Sequence, residues 1–284
     1  MPLIGHENLI RDFKALAGDR KLSQGYIFFG VPRLGKRSFA MALANHLENG
    51  EFAEPAANRV LSDALLIRPG ENRTIGIDPI RDIKIFLWQM PNASPYRTVI
   101  IDGGERLTDE AQNALLKITE EPPAAALLIL VADDPEKLRP TLQSRFQKVY
   151  FSPVPVPLIE RWLKTELRIP ADKARDAAER SAGQPGLAKM MLTDESFNER
   201  HAAARKFLSA PASGRSLLLK DILVDEHFDL DLFVEALMIA AYSEHKRDKI
   251  FWHAASELRR QASYFNLNPR IQLLNLAKTL NINE

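Results

Sequence analysis

The stretch Gly30-Val31-Pro32-Arg33-Leu34-Gly35-Lys36-Arg37-Ser38 places two glycines ahead of a lysine in the G-x-x-x-x-G-K spacing of a phosphate-binding loop. Gly30 and Gly35 let the backbone curl so that its N–H groups point inward at phosphate oxygens. Lys36 adds a positive charge within reach of terminal phosphates. The helix expected from Phe39 to Leu47 aims its positive end at the same place. One position departs from the pattern. A hydroxyl directly after the lysine normally ligates Mg²⁺. Here Arg37 stands there, and the hydroxyl sits on Ser38, about 100° further round the helix. Arg37 can pair with phosphate but cannot ligate a cation. The plainer alternative is a glycine turn before a helix.

A second chemical group is Asp102. Val99, Ile100 and Ile101 form an apolar, β-branched run that suits a strand buried on both faces of a parallel sheet. A carboxylate inside that run would be very costly. At the carboxyl end of the strand, where α/β sheets bind ligands, it can face a metal or water. Gly103 and Gly104 then turn the chain. Thr108 is a good N-cap, with Asp109 and Glu110 in the first turn of a helix. Ala111, Ala114, Leu115 and Ile118 make its apolar stripe, and Pro122 and Pro123 stop it. The plainer alternative is a strand-turn-helix unit with a surface Asp.

The composition leaves other chemistries little room. The 284 residues suffice for two or three compact units, and 45% hydrophobic with 26% charged residues is ordinary for a globular protein. A net charge of +1 means that any nucleic-acid contact must be a local patch. With no cysteine there is no disulfide, thiol catalysis or cysteine-bound zinc, and the six histidines show no metal-ligand spacing. The start is polar and periodic rather than a signal peptide, and the run from Ala124 to Ala132 is too short to cross a bilayer. The expected location is cytoplasmic.

The elements that must position these groups alternate from Tyr26 to Phe151. Strands are expected at Tyr26–Phe29, Leu65–Ile67, around Val99–Asp102, Leu127–Val131 and Lys148–Phe151. A helix with the stripe Ile80, Ile83, Phe86 and Leu87 begins near Pro79. This order predicts an α/β fold with a mainly parallel, doubly wound sheet. Ser152 to Pro157, with three alternating prolines, reads as an extended linker. Helices are expected at 158–167, 171–182 and 185–192. Ser209 to Ser216 reads as a second break. Beyond it, the stripe Phe233, Ala236, Leu237, Ala240 and Ala241 and helices at Phe251–Tyr264 and Pro269–Leu280 read as a small bundle.

Together these residues resemble the clamp-loader subunits of the AAA+ class, closest to the delta-prime branch in bacterial DNA polymerase III. The likeness begins at Ile4-Gly5-His6-Glu7 and runs through the phosphate loop and the Asp102 strand. It continues in Asn113-Ala114-Leu115-Leu116-Lys117 and Glu120-Glu121-Pro122-Pro123. Pro135-Glu136-Lys137-Leu138 leads to Ser144-Arg145-Phe146, similar to the family's Ser-Arg-Cys motif, and Asn268-Pro269 resembles the start of the last collar helix. The resemblance implies an AAA+ P-loop α/β domain (1–152), a three-helix lid (153–208) and a helical collar for oligomerisation (209–284). It implies ATP as the nucleotide such a loop could take, in a site degenerate for Mg²⁺, with other loader subunits in a hetero-pentamer as partners and a sliding clamp set on primer–template DNA. It gives no membrane role.

The departures from the family pattern matter. The Glu expected directly after Asp102, which positions the attacking water, is Gly103. The Mg²⁺ hydroxyl is displaced. The polar sensor after the Leu127 strand is Ala132 or Asp133. No lid arginine is evident near Gly183 to Ala188, with Lys189 the candidate substitute, and a four-cysteine zinc module is missing. Arg145 survives. In the family this arginine is a finger that reaches into a neighbour's nucleotide site, a task suited to a permanent charge with a forked geometry. The leading reading is therefore a subunit that lends Arg145 while hydrolysing little or no ATP itself. A gamma/tau-type motor subunit or other AAA+ DNA-processing ATPase is the alternative. A small-molecule phosphotransferase on a P-loop core is a third reading, for which the helical second half offers neither an acceptor pocket nor a lid. Arg106 and Lys117 are candidate contacts to DNA phosphates.

Overall fold

The apolar runs form the centre of one sheet. The computed structural model describes residues 3–70, 72–224, 228–243, 249–262 and 267–279. The chain divides into two units, Met1–Ala188 and Lys189–Glu284.

The first unit opens with α1 (Glu7–Gly18), β1 (Gly25–Phe29) and α2 (Lys36–Asn49). Then come β2 (Ala64–Ile67), α3 (Ile77–Leu87) and β3 (Arg97–Asp102). They are followed by α4 (Asp109–Glu120), β4 (Ala126–Ala132), the short α5 (Pro140–Gln143) and β5 (Gln147–Tyr150). Among the described residues the strand order is β2-β3-β4-β1-β5, and every pairing is parallel. The α/β sheet expected from the alternation is what forms. Helices cover both faces, so β4 is buried at every position. Ile27, Val99, Ile101, Leu128 and Leu130 face α3 and α4. Their strand neighbours Phe28, Ile100, Leu127 and Ile129 face α1 and α2.

Two consequences position the site. β1 and β3 flank β4, with Phe29 opposite Ala132 and Asp102 opposite Val131. The carboxyl ends of three strands therefore lie side by side. Behind them, the Phe39 ring of α2 lies 5.4, 5.6 and 5.3 Å from the rings of Phe13, Phe28 and Phe151, all in edge-on contact. This apolar anchor fixes the helix that follows the phosphate loop.

α6 (Val156–Thr165), α7 (Ala171–Arg180) and α8 (Pro185–Thr193) come next. The proline-rich stretch departs from the expected linker. α6 already begins at Val156, with Pro157 in its first turn, where the missing N–H would have had no helical partner anyway. Val154 is buried and its N–H donates to the Gly183 carbonyl at 2.8 Å, so this stretch is pinned down.

The boundary between the units falls within α8. The second unit contains α9 (Glu195–Ser209), α10 (Ala212–Ile222), α11 (Leu230–Ser243), α12 (Lys249–Ala262) and α13 (Pro269–Thr279). The sequence reading omitted α9 and α10. α9 is capped by Asp194, whose carboxylate accepts from the Phe197 N–H at 2.9 Å. The break expected over 209–216 shrinks to Ala210 and Pro211, because Pro211 serves as an N-cap and Gly214 is tolerated inside α10. Phe207 and Leu208 of α9 share a core with Phe233, Leu237, Phe251 and Leu273. The expected helix ends at Tyr264 and Leu280 lie outside the described residues. Among the described residues no helix is long and apolar enough to cross a membrane.

Candidate functional site

The loop from Gly30 to Gly35 joins β1 to α2. Gly30 has φ 142°, and a Cβ there would stand 2.4 Å from the Phe151 carbonyl oxygen. Only glycine lets the loop pass the end of β5 so closely. Gly35 caps α2 at φ 88°, and Arg33 also takes a left-handed conformation, at φ 61°. Two outside contacts hold the loop. His6 Nε2 lies 3.0 Å from the Leu34 carbonyl, and its ring packs edge-on against Phe151 at 4.8 Å. A carbonyl only accepts, so Nε2 carries the proton. From the other side, the Gly186 N–H at the start of α8 donates to the Arg33 carbonyl at 3.0 Å. Burial is the main influence on His6 and depresses its pKa, against smaller upward pulls from the Leu34 hydrogen bond and the Glu7 charge.

Lys36 is buried, and its Nζ donates to the Gly30 carbonyl at 2.6 Å, the Val31 carbonyl at 2.8 Å and Oδ1 of Asp133 at 2.8 Å. An ammonium has three protons, and all three are used. Asp133 directly follows β4 and reaches Lys36 because β4 adjoins β1. Arg37 Nη1 lies 3.5 Å from Oδ2 of Asp102. Lys36 and Arg37 thus each face a carboxylate of the same chain. The Ser38 hydroxyl donates to Glu54, at 3.4 Å.

Gly103 takes φ 92°, and a short 3-10 turn from Gly104 to Arg106 follows. Glu105 turns back toward β4, where its Oε2 accepts from the Asp133 N–H at 3.3 Å. Burial, and secondarily the Asp133 charge, push the Glu105 carboxyl above the usual range. These side chains do not fit a magnesium ion, whose usual hydroxyl the sequence already lacks. The position after Lys36 has no hydroxyl, Asp102 already faces a guanidinium, and Lys36 has no proton to spare.

Arg145 lies in the turn after α5, just before the start of β5, whereas the loop passes the other end of that strand at Phe151. It is about one-third exposed. Its Nη2 lies 3.1 Å from Oε1 of Glu120, and its Nη1 is 3.4 Å from the Thr141 carbonyl. Arg106 and Lys117 are exposed. Lys189 falls in the second unit, where it helps line an open cleft with Asp194 and Glu199. Gly30, Gly35, Lys36, Arg37, Ser38 and Asp102 therefore gather at one end of the sheet, and Arg145 stands apart. Sequence reasoning missed the partners: Asp133 for Lys36, His6 for Leu34 and Glu120 for Arg145. Only Asp133 left a signal, an acid beside a position where a neutral polar residue is usual.

The comparisons agree with this fold. The model of the family described as "DNA polymerase III, delta subunit" matches residues 5–155. The chain is 32% identical over 145 residues to DNA polymerase III subunit delta' of Escherichia coli, covering 51% of this chain and 43% of that one. It is 33% identical over 160 residues to subunit tau of Bacillus subtilis, covering 52% and 28%. The chain thus spans less than half the length of these curated relatives. In fold it is similar to a gamma subunit-related protein of Thermotoga maritima, with a TM-score of 0.60 at 24% identity over 94% of this chain and 98% of that one. With the family match spanning more than half of its length, the chain belongs to the DNA polymerase III delta-subunit family.

Proposed function

We propose that this protein is a delta-prime-like subunit of a bacterial clamp loader that lends Arg145 to a neighbour and hydrolyses no ATP itself. In this reading it joins other loader subunits in a hetero-pentamer. The assembly opens a sliding clamp and sets it on primer–template DNA in the cytoplasm. One contrast carries the reading. Arg145 keeps a partly exposed guanidinium, while the cleft at Lys36 lacks both the magnesium hydroxyl and the carboxylate after Asp102. An arginine supplied in trans to a phosphoryl-transfer site contributes on the order of 10³ to 10⁵ in rate.

The second reading is a gamma/tau-type motor, favoured by an identity to the tau subunit as high as that to delta'. Gly103 weighs against it, since it offers no group to orient water. ATP turnover separates the two. The isolated chain is expected to show none, and the reconstituted loader to lose turnover at one site with Arg145→Ala but not with Lys36→Ala. Strong turnover by the chain alone, abolished by Lys36→Ala, would favour the motor.

A further inference from the structure

The phosphate loop is built and held, yet Lys36 and Arg37 already face carboxylates of the same chain. Lys36 and Arg37 contribute two positive charges, and Asp133 and Asp102 two negative ones. A terminal phosphate needs the Lys36 proton that Asp133 accepts at 2.8 Å. A divalent cation on Asp102 would have to displace the guanidinium at 3.5 Å. Lys36 is almost wholly buried, whereas Asp133 is nearly half exposed. The lysine therefore has little freedom to turn elsewhere, and Asp133 is the movable member. An incoming phosphate would also approach two carboxylates, and like charges at short range oppose it.

We propose that this loop is closed by its own side chains. Asp133 occupies the Lys36 proton in place of a terminal phosphate, and Arg37 stands against Asp102 in place of a divalent cation. The chain as it exists then takes up no nucleoside triphosphate, and neutralising Asp133 alone restores affinity for one. Because Arg37 already supplies the positive charge, the restored affinity does not depend on magnesium. Placing a hydroxyl at position 37 makes it depend on magnesium. This deepens the reading of a subunit silent at its own site, and it rests on that reading only for its biological consequence.

The test titrates the full chain with a fluorescent ATP analogue, with magnesium and with a chelator. The wild type is expected to bind no tighter than about 1 mM. Asp133→Asn is expected to bind at least about tenfold tighter, equally in both conditions. The control Asp134→Asn makes the same charge change at an exposed neighbour and is expected to gain nothing. Adding Arg37→Thr to Asp133→Asn is expected to make binding magnesium-dependent. If circular dichroism shows that Asp133→Asn does not fold, Asp133→Thr takes its place. Micromolar binding by the wild type overturns the proposal, as does a gain in Asp133→Asn no larger than that in Asp134→Asn. Either result leaves the role of Arg145 intact and separately measurable in the assembled loader.

Discussion

The Arg145 guanidinium lies 3.1 Å from the Glu120 carboxylate, which ties the turn after α5 to the last residue of α4. α4 is the helix that follows Asp102 and its 3-10 turn. The arginine expected to serve a neighbour therefore rests on the element that leaves the chain's own cleft. The pair is partly exposed, with Glu120 more than half accessible. Such pairs contribute little, about 0–1 kcal/mol, because water and salt screen them and two long side chains must be ordered. That weakness suits a residue that has to change partners.

Glu120→Ala should therefore lower stability by less than about 1 kcal/mol in urea unfolding. The same change should leave the isolated chain's secondary structure unaltered. A loss of several kcal/mol would mean that the pair is a strut and that Arg145 is not available to another protomer.

A contrasting carboxylate lies immediately before β2. Asp63 is buried and accepts from the N–H groups of Asn92, Ala93 and Ser94 at 2.6–3.0 Å, and Arg97 lies 3.1 Å away. Burial alone would raise its pKa, but the backbone donors and the arginine outweigh that and hold it below 3.8. The unfolded state then binds the proton more readily. This contribution is present above about pH 4 and disappears as pH falls through the depressed folded value. Asp63→Ala should cost about 3–5 kcal/mol at pH 7, since it leaves Arg97 buried without its carboxylate and three amides unpaired. Urea unfolding at pH 7 and pH 3 checks both points: the difference between variant and wild type should narrow in acid.

Much of this arrangement could be read from residue order, for physical reasons that differ by element. β3 and β4 were legible because continuous β-branched and leucine runs have few alternatives in a parallel sheet. α4 was legible because Thr108 caps it, its side chain accepting from the Ala111 N–H at 3.2 Å, and because the double proline ends it. α10 was hidden because Pro211 and Gly214 imitate a loop while the apolar face that settles the matter packs on distant residues. The site divides in the same way. The glycine and lysine spacing is local and could be read. Lys36 and Asp133 are 97 positions apart and meet only because β4 lies beside β1. No local pattern carries that pairing.

The two loop glycines should respond differently to one added methyl group. At Gly30 a Cβ would meet a backbone carbonyl at 2.4 Å, which no side-chain rotation relieves. At Gly35 nothing lies within 4 Å, so only the left-handed conformation opposes the change. Gly35→Ala should cost roughly 1–2 kcal/mol. Gly30→Ala should exceed it and shift the end of β5, a loss above about 3 kcal/mol. Equal effects in thermal or urea unfolding would mean that β5 does not approach the loop as described.

His6 gives the first unit a pH dependence of definite sign. Its imidazole is buried against Phe151 and donates to the Leu34 carbonyl, and its pKa lies below the ordinary 6.5. The neutral ring is the one the fold accepts. Between the folded value and 6.5 the unfolded chain holds more protons, so stability rises with pH through that window. The contribution is complete above about pH 6.5 and is lost as pH falls toward the folded value. His6→Gln keeps a side-chain N–H donor for Leu34 but cannot titrate. Its unfolding free energy should therefore be flatter between pH 7 and pH 5 than that of the wild type, even if it is lower at pH 7. The same experiment can follow the loop, because Leu34 belongs to it. If the wild type and His6→Gln show parallel pH profiles, His6 is not the group that couples the N-terminal arm to the phosphate loop.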